Sequence, residues 1–170
     1  VMAGGGGTAG TDETRHADEI AAIVGGLLGR GRRGRLIIGD EVDRPVLERV
    51  AARFADDDRV AVETPGDLEG VVRLLAHADA VIATRFHNVI AALLSARPTV
   101  AISYADKTRD LMDRVGLGEY VMDAADVDGD GILGLFDRAI AAGAAPSAAV
   151  VGQLRAAARG DIARVVEALA

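Results

Sequence analysis

Cysteine and tryptophan are both missing from this chain of 170 residues. Without cysteine there is no disulfide, no thiolate metal ligand and no cysteine nucleophile. Aromatic residues make up only 3%, too few to build a stacking platform for single-stranded nucleic acid. Lysine is almost absent as well: Lys107 is the only one among 19 lysines and arginines. No uninterrupted apolar run approaches the roughly 20 residues that a membrane-spanning helix needs. The start lacks the charged and apolar regions of a signal peptide. The formal net charge of −7 repels nucleic acid and anionic membranes. A soluble, cytoplasmic protein with no nucleic-acid partner and no membrane insertion is therefore expected, and any anion it binds must be caught by a local cluster.

What the chain does contain is aliphatic. Half of the residues are hydrophobic, mostly Ala, Val, Leu and Ile, a composition suited to helices packed closely on a Val/Ile-rich sheet. Apolar positions at Ala17, Ile20, Ala21, Ile23, Val24, Leu27 and Leu28 predict a helix over Thr14–Leu28, with Thr11 and Asp12 as candidate caps. Short apolar runs at Leu36–Ile38, Arg59–Glu63, Asp79–Ala83 and Thr99–Ser103 read as strands, with a fifth at Tyr120–Met122. Helices are expected between them: one opened by Asp43 as N-cap with Pro45 in its first turn, then Leu68–His77, His87–Ser95 and Thr108–Val115. Two more, near Ile132–Ala142 and over 147–169, finish the chain. The alternation predicts a single α/β domain over residues 1–170, a Rossmann-like parallel sheet sandwiched by helices.

Right-handed crossovers place every strand-to-helix loop on one edge of such a sheet, where ligands bind. That rim would gather Gly4–Thr8, Gly39-Asp40, Thr84–His87 and Ser103–Lys107. Arg85 and His87 fall where a strand ends and a helix begins, and a helix N-terminus attracts anions. Arg85 adds a fork matched to carboxylate or phosphate oxygens. His87 supplies an imidazole, which exchanges protons near neutral pH. Lys107 is expected in the loop after the next strand, and Ser103 and Tyr104 offer hydroxyls. Two cations and an imidazole at consecutive strand ends suit a small, doubly charged anion.

Other motifs carry less. Gly5–Gly10 matches G-x-G-x-x-G, but a dinucleotide fingerprint needs a preceding strand, and at most three residues of one are visible. Asp126–Gly131 reproduces D-x-D-x-D-G, yet the twelfth position is Asp137 instead of Glu, and an Asp/Gly turn capping the next helix explains it as well. His16 and His77 have no clustered partners in the sequence, and Arg30, Arg32, Arg33 and Arg35 read as a solvated basic turn. The opening Val1-Met2-Ala3 before Gly4–Gly7 reads as a strand cut just before its loop, so the chain is expected to be the second half of a larger protein.

The ordered set Ala78–His87, Ala91–Pro98 and Ile102–Lys107, continued by Leu111–Leu117, resembles the C-terminal half of polysaccharide pyruvyl transferases. In that family Arg-[Leu/Phe]-His at a strand end precedes an apolar helix, a proline and Ser-Tyr-x-x-Lys. Phe86 stands where Leu is commoner, and Asn88 where Ala is common. The close likeness covers residues 78–122. It implies a two-domain, GT-B-like enzyme that transfers a pyruvyl group from phosphoenolpyruvate to a saccharide hydroxyl in polysaccharide or cell-envelope glycan biosynthesis, with no further cofactor and no metal. This chain would supply the donor-binding half and rely on an N-terminal domain for the acceptor side. It implies Arg85 and Lys107, with Ser103 and Tyr104, as donor-binding residues and His87 as the catalytic residue, either the acid or the group that stabilises the departing phosphate. Homo-oligomers are compatible with it. The rival readings are a nucleotide-sugar-dependent glycosyltransferase donor domain and a catalytically silent interaction module of the same fold.

Overall fold

A computed structural model of the chain describes residues 11–158. The elements alternate as expected: α1 (Thr11–Gly29), β1 (Gly34–Ile37), α2 (Arg44–Ala52), β2 (Val60–Glu63), α3 (Leu68–Leu75), β3 (Val81–Ala83), α4 (Phe86–Leu94), β4 (Thr99–Ser103), α5 (Asp106–Arg114), β5 (Val121–Asp123), α6 (Gly129–Ala142) and α7 (Ala148–Ala158). The protein is α/β, with parallel strands flanked by helices. Helix α1 already includes Thr11 and Asp12, expected as its caps. The terminal helix is described only as far as Ala158, and Gly4–Thr8 lies outside the described residues.

One difference from the single expected sheet matters. Among the described residues the strands form two parallel ladders, β1-β2 and β3-β4-β5, with no hydrogen bonds joining β1 to β3. A cavity of about 500 Å³ lies between them, lined by Leu36 and Ile37 on one side and Val81 and Ile82 on the other. Strand β4 is buried at all five positions, as a continuous apolar run requires. Strand β2 instead sits at an edge, with Val62 38% exposed.

Helices surround the ladders. Helix α1 joins two hydrophobic clusters, giving Ile23 and Leu27 to the larger one and Ile20, Val24 and Leu28 to the smaller. Helix α4 is buried at every position from Asn88 to Leu94. It touches β3, β4, α3, α5 and α7, and its Ala91-Ala92 pair lets those neighbours approach closely. The acid-rich turn before α6 is a cap: Asp128 accepts the Gly131 N–H at 2.7 Å, and α6 ends on Gly143 at φ 61°, the left-handed C′ position that glycine favours. No group of three or more His, Asp or Glu able to hold a metal ion occurs among the described residues. No described helix is long and apolar enough to cross a membrane.

Candidate functional site

The carboxyl ends of β1, β3 and β4 meet through specific contacts. After β1 the backbone at Gly39 abuts the Asn88 side chain, and a Cβ there would lie 2.5 Å from Asn88 Oδ1. Any larger residue at position 39 would have to displace the buried Asn88 side chain. Asp40 then caps a 3₁₀ turn over Glu41–Asp43, accepting the Val42 N–H at 3.2 Å. Asp43 occupies the position before α2, as expected, but makes no side-chain cap there.

Its carboxylate goes to Arg85 instead. Arg85 Nε donates to Asp43 Oδ2 at 2.7 Å and Nη2 donates to Oδ1 at 2.8 Å, a bidentate pair. Asp43 is only 4% exposed. On its other side, Arg85 Nη1 stands 3.4 Å from Asp40 Oδ2. The hydrogen bonds to Asp43 come first, outweighing burial, and with the charges of Asp43 and Asp40 they hold Arg85 more firmly in its cationic form. The acid partner of Arg85 lies 42 residues away in sequence, and the expected cap at Asp43 is replaced by this ion pair.

Arg85 also precedes α4, so the strand-to-helix turn is held by the Asp43 clamp and not by a side-chain cap. Phe86 and His87 form the first turn of α4. Their rings lie edge to face, with centroids 6.2 Å apart and planes at 70°. Lys107 falls in the first turn of α5, not in the loop expected for it. Its Nζ sits 4.8 Å from the centre of the Phe86 ring, a cation–π contact. Phe86 therefore touches both Lys107 and His87, and both of those side chains are exposed. Phe86 and Asn88 each make a contact that builds this edge.

Ser103 is buried and donates from Oγ to the Ala105 carbonyl at 2.8 Å, shaping the turn into α5. Tyr104 is half-exposed and points its ring edge-on to His16, centroids 6.5 Å apart. Partial burial first, and then the negative charges of Glu19 and Asp43, push its phenol up to about 12, so it remains a hydroxyl at neutral pH. His16 is the residue that sequence reasoning missed. It was expected to stand alone, but α1 brings it to Tyr104 and within 4.0 Å of Glu19. The helical spacing of His16 and Glu19 was visible in the sequence; their meeting with Tyr104 was not.

The His16 side chain is mostly buried, and its Nε2 has no hydrogen-bond partner among the described residues. Burial lowers its pKa below the ordinary 6.5, with Glu19 and Asp43 pulling the other way. Below 6.5 the unfolded chain takes up a proton that the folded state resists. The stability present above 6.5 is therefore lost as the pH falls towards the depressed folded value. Urea midpoints one unit above and one unit below 6.5 should differ, and His16→Phe should narrow the difference. An unchanged pH slope in that variant would assign the loss to other groups.

The remaining flagged residues are occupied elsewhere. In the basic turn, Arg30 pairs with Asp137 at 3.0 Å, Arg32 with Asp79 at 3.6 Å and Arg35 with Glu63 at 3.4 Å. Arg33 donates to the Asp58 carbonyl at 3.4 Å. His77 lines the cavity between the ladders, which Arg85 does not line.

No curated protein and no solved structure matches the chain. The family model of polysaccharide pyruvyl transferases matches residues 10–106, more than half of the sequence. The matched span holds α1, the Asp40–Asp43 turn, Arg85, His87, Ser103 and Tyr104, and stops one residue short of Lys107. The chain belongs to the polysaccharide pyruvyl transferase family.

Proposed function

We propose that this chain supplies the donor-binding half of a pyruvyl transferase, resembling the C-terminal half of a GT-B fold, and that it acts on phosphoenolpyruvate at the carboxyl edge of β3 and β4. An N-terminal domain of the same protein would bring the saccharide acceptor. The observation that carries this reading is the arrangement of Arg85, His87 and Lys107 on adjoining helix starts, with Phe86 in contact with both His87 and Lys107.

The chemistry asks for what these residues offer. Phosphoenolpyruvate carries a carboxylate and a phosphate, which Arg85 and Lys107 would hold, assisted by the Tyr104 hydroxyl. Protonation of its methylene carbon by His87 makes C2 electrophilic. A sugar hydroxyl then forms a bond to C2 and gives up its proton, and the bond from C2 to the phosphate oxygen breaks. A second hydroxyl closes the ketal and gives up its proton. The net change is phosphoenolpyruvate plus a diol giving a pyruvate ketal plus inorganic phosphate, with no oxidation or reduction.

Calorimetric titration of phosphoenolpyruvate and of a UDP-sugar tests this directly, with the N-terminal domain present. Phosphoenolpyruvate should bind and the UDP-sugar should not. Lys107→Ala should weaken phosphoenolpyruvate by about tenfold or more, the worth of a charged hydrogen bond. Binding of the UDP-sugar alone would return the chain to the nucleotide-sugar class.

A further inference from the structure

We propose that the two acids on Arg85 have opposite roles: Asp43 is a positioning residue that fixes the guanidinium for the donor's anionic group, and Asp40 is a displaceable stand-in for that group. This rests on the phosphoenolpyruvate reading given above.

The asymmetry is geometric. Asp43 is 4% exposed and uses both carboxylate oxygens, at 2.7 and 2.8 Å, on two different guanidinium nitrogens. A planar fork held at two points has its orientation fixed. Breaking a buried pair from one side leaves the other charge buried and uncompensated, so no incoming anion competes with Asp43. Asp40 is different in each respect. Its side chain is 46% exposed, it reaches Nη1 through one oxygen at 3.4 Å, and its other oxygen is engaged by the Val42 N–H. A single, long, solvent-facing contact is worth little. It nevertheless places a carboxylate on the Nη1 side of Arg85, the kind of group that phosphoenolpyruvate brings. An arriving dianion meets the repulsion of Asp40 and takes over its contact.

The two acids also differ in what their removal does to the fold. Asn caps a helical turn about as well as Asp, so Asp40→Asn keeps the Val42 contact and removes only the charge. Asp43→Asn keeps the shape but sets an amide N–H₂ against one guanidinium N–H, breaking the two-point clamp.

The test is calorimetric binding of phosphoenolpyruvate to the intact protein and to both variants, with steady-state kinetics alongside. Asp40→Asn should tighten binding about two- to fivefold, the range for a half-exposed ion pair, lowering KM without raising kcat. Asp43→Asn should weaken binding by about tenfold or more and also lower kcat. If Asp43→Asn does not fold, the unmodified protein still decides the point. The Arg85 Nε–H resonance should keep its position when phosphoenolpyruvate saturates the site, because Asp43 is not displaced. A shift of that resonance, or a change of the same sign in both variants, overturns the two roles while leaving the donor reading intact. Absence of any phosphoenolpyruvate binding by the unmodified protein removes the donor reading, and the two roles with it.

Discussion

Replacing His87 by glutamine should lower kcat for pyruvyl transfer by about 10²- to 10⁴-fold, the usual contribution of a positioned general acid, while phosphoenolpyruvate affinity changes little. Glutamine keeps a polar side chain of similar reach but cannot deliver a proton to the methylene carbon. His87 is suited to this because it stands in the first turn of α4, exposed to an incoming substrate. Its ring also lies edge to face with that of Phe86, centroids 6.2 Å apart. The anionic donor would gather at the same helix start, where backbone N–H groups and the dipole favour negative charge. Steady-state rates with calorimetric affinities separate the effect on rate from that on binding. A kcat within about threefold of the parent protein would remove His87 as the acid and leave it as a binding residue.

Truncating Ile90 to alanine should destabilise the protein by about 2–5 kcal/mol, the range for emptying a large buried aliphatic site. Ile90 has no exposed surface, and its helix is buried from Asn88 through Leu94. Helix α4 touches strands on one side and helices α3, α5 and α7 on others, so neighbours already fixed by their own contacts cannot collapse into the space. A loss of this size is a large part of the 5–15 kcal/mol that holds a typical domain. Val62→Ala on the edge strand β2, where the side chain is 38% exposed, should stay within about 0.5 kcal/mol. Urea denaturation of both variants tests the contrast. Equal effects would mean that α4 is not the packed centre that carries the site. The first turn of α4 holds His87, so the Ile90 variant should also lose activity at temperatures where it is still mostly folded.

Much of this was legible in the residues. The strand at Thr99–Ser103 has the bounds expected from its apolar run, and the predicted helices before the terminal one are present within a few residues of their expected ends. Caps were harder. Asp128 caps as its Asp/Gly turn implies, accepting the Gly131 N–H, and Asp67 caps α3 by accepting the Gly70 N–H. Asp43 holds the same kind of position and does not, because a cation from another element made a better partner for its carboxylate. Lys107 was misplaced by a few residues: Ala105 serves as the N-cap, so Asp106 and Lys107 are already helical. Hydrophobic period says little about where a polar turn becomes a helix.

The sequence by itself determined the order of strands and helices, the apolar faces they bury, and the placing of Arg85, His87 and Tyr104 at strand ends. Those features depend on periodicity and turn chemistry within a few residues of each position. Tertiary structure alone decided which charge meets which. It joined Asp43 to Arg85 across 42 residues, brought His16 from α1 to Tyr104, and set Lys107 over the face of Phe86. It also divided the described strands into two ladders around a cavity. The physical reason is the same in each case: pairing across the chain is set by the packing of whole elements, and no local pattern in the sequence records which acid will lie against which cation.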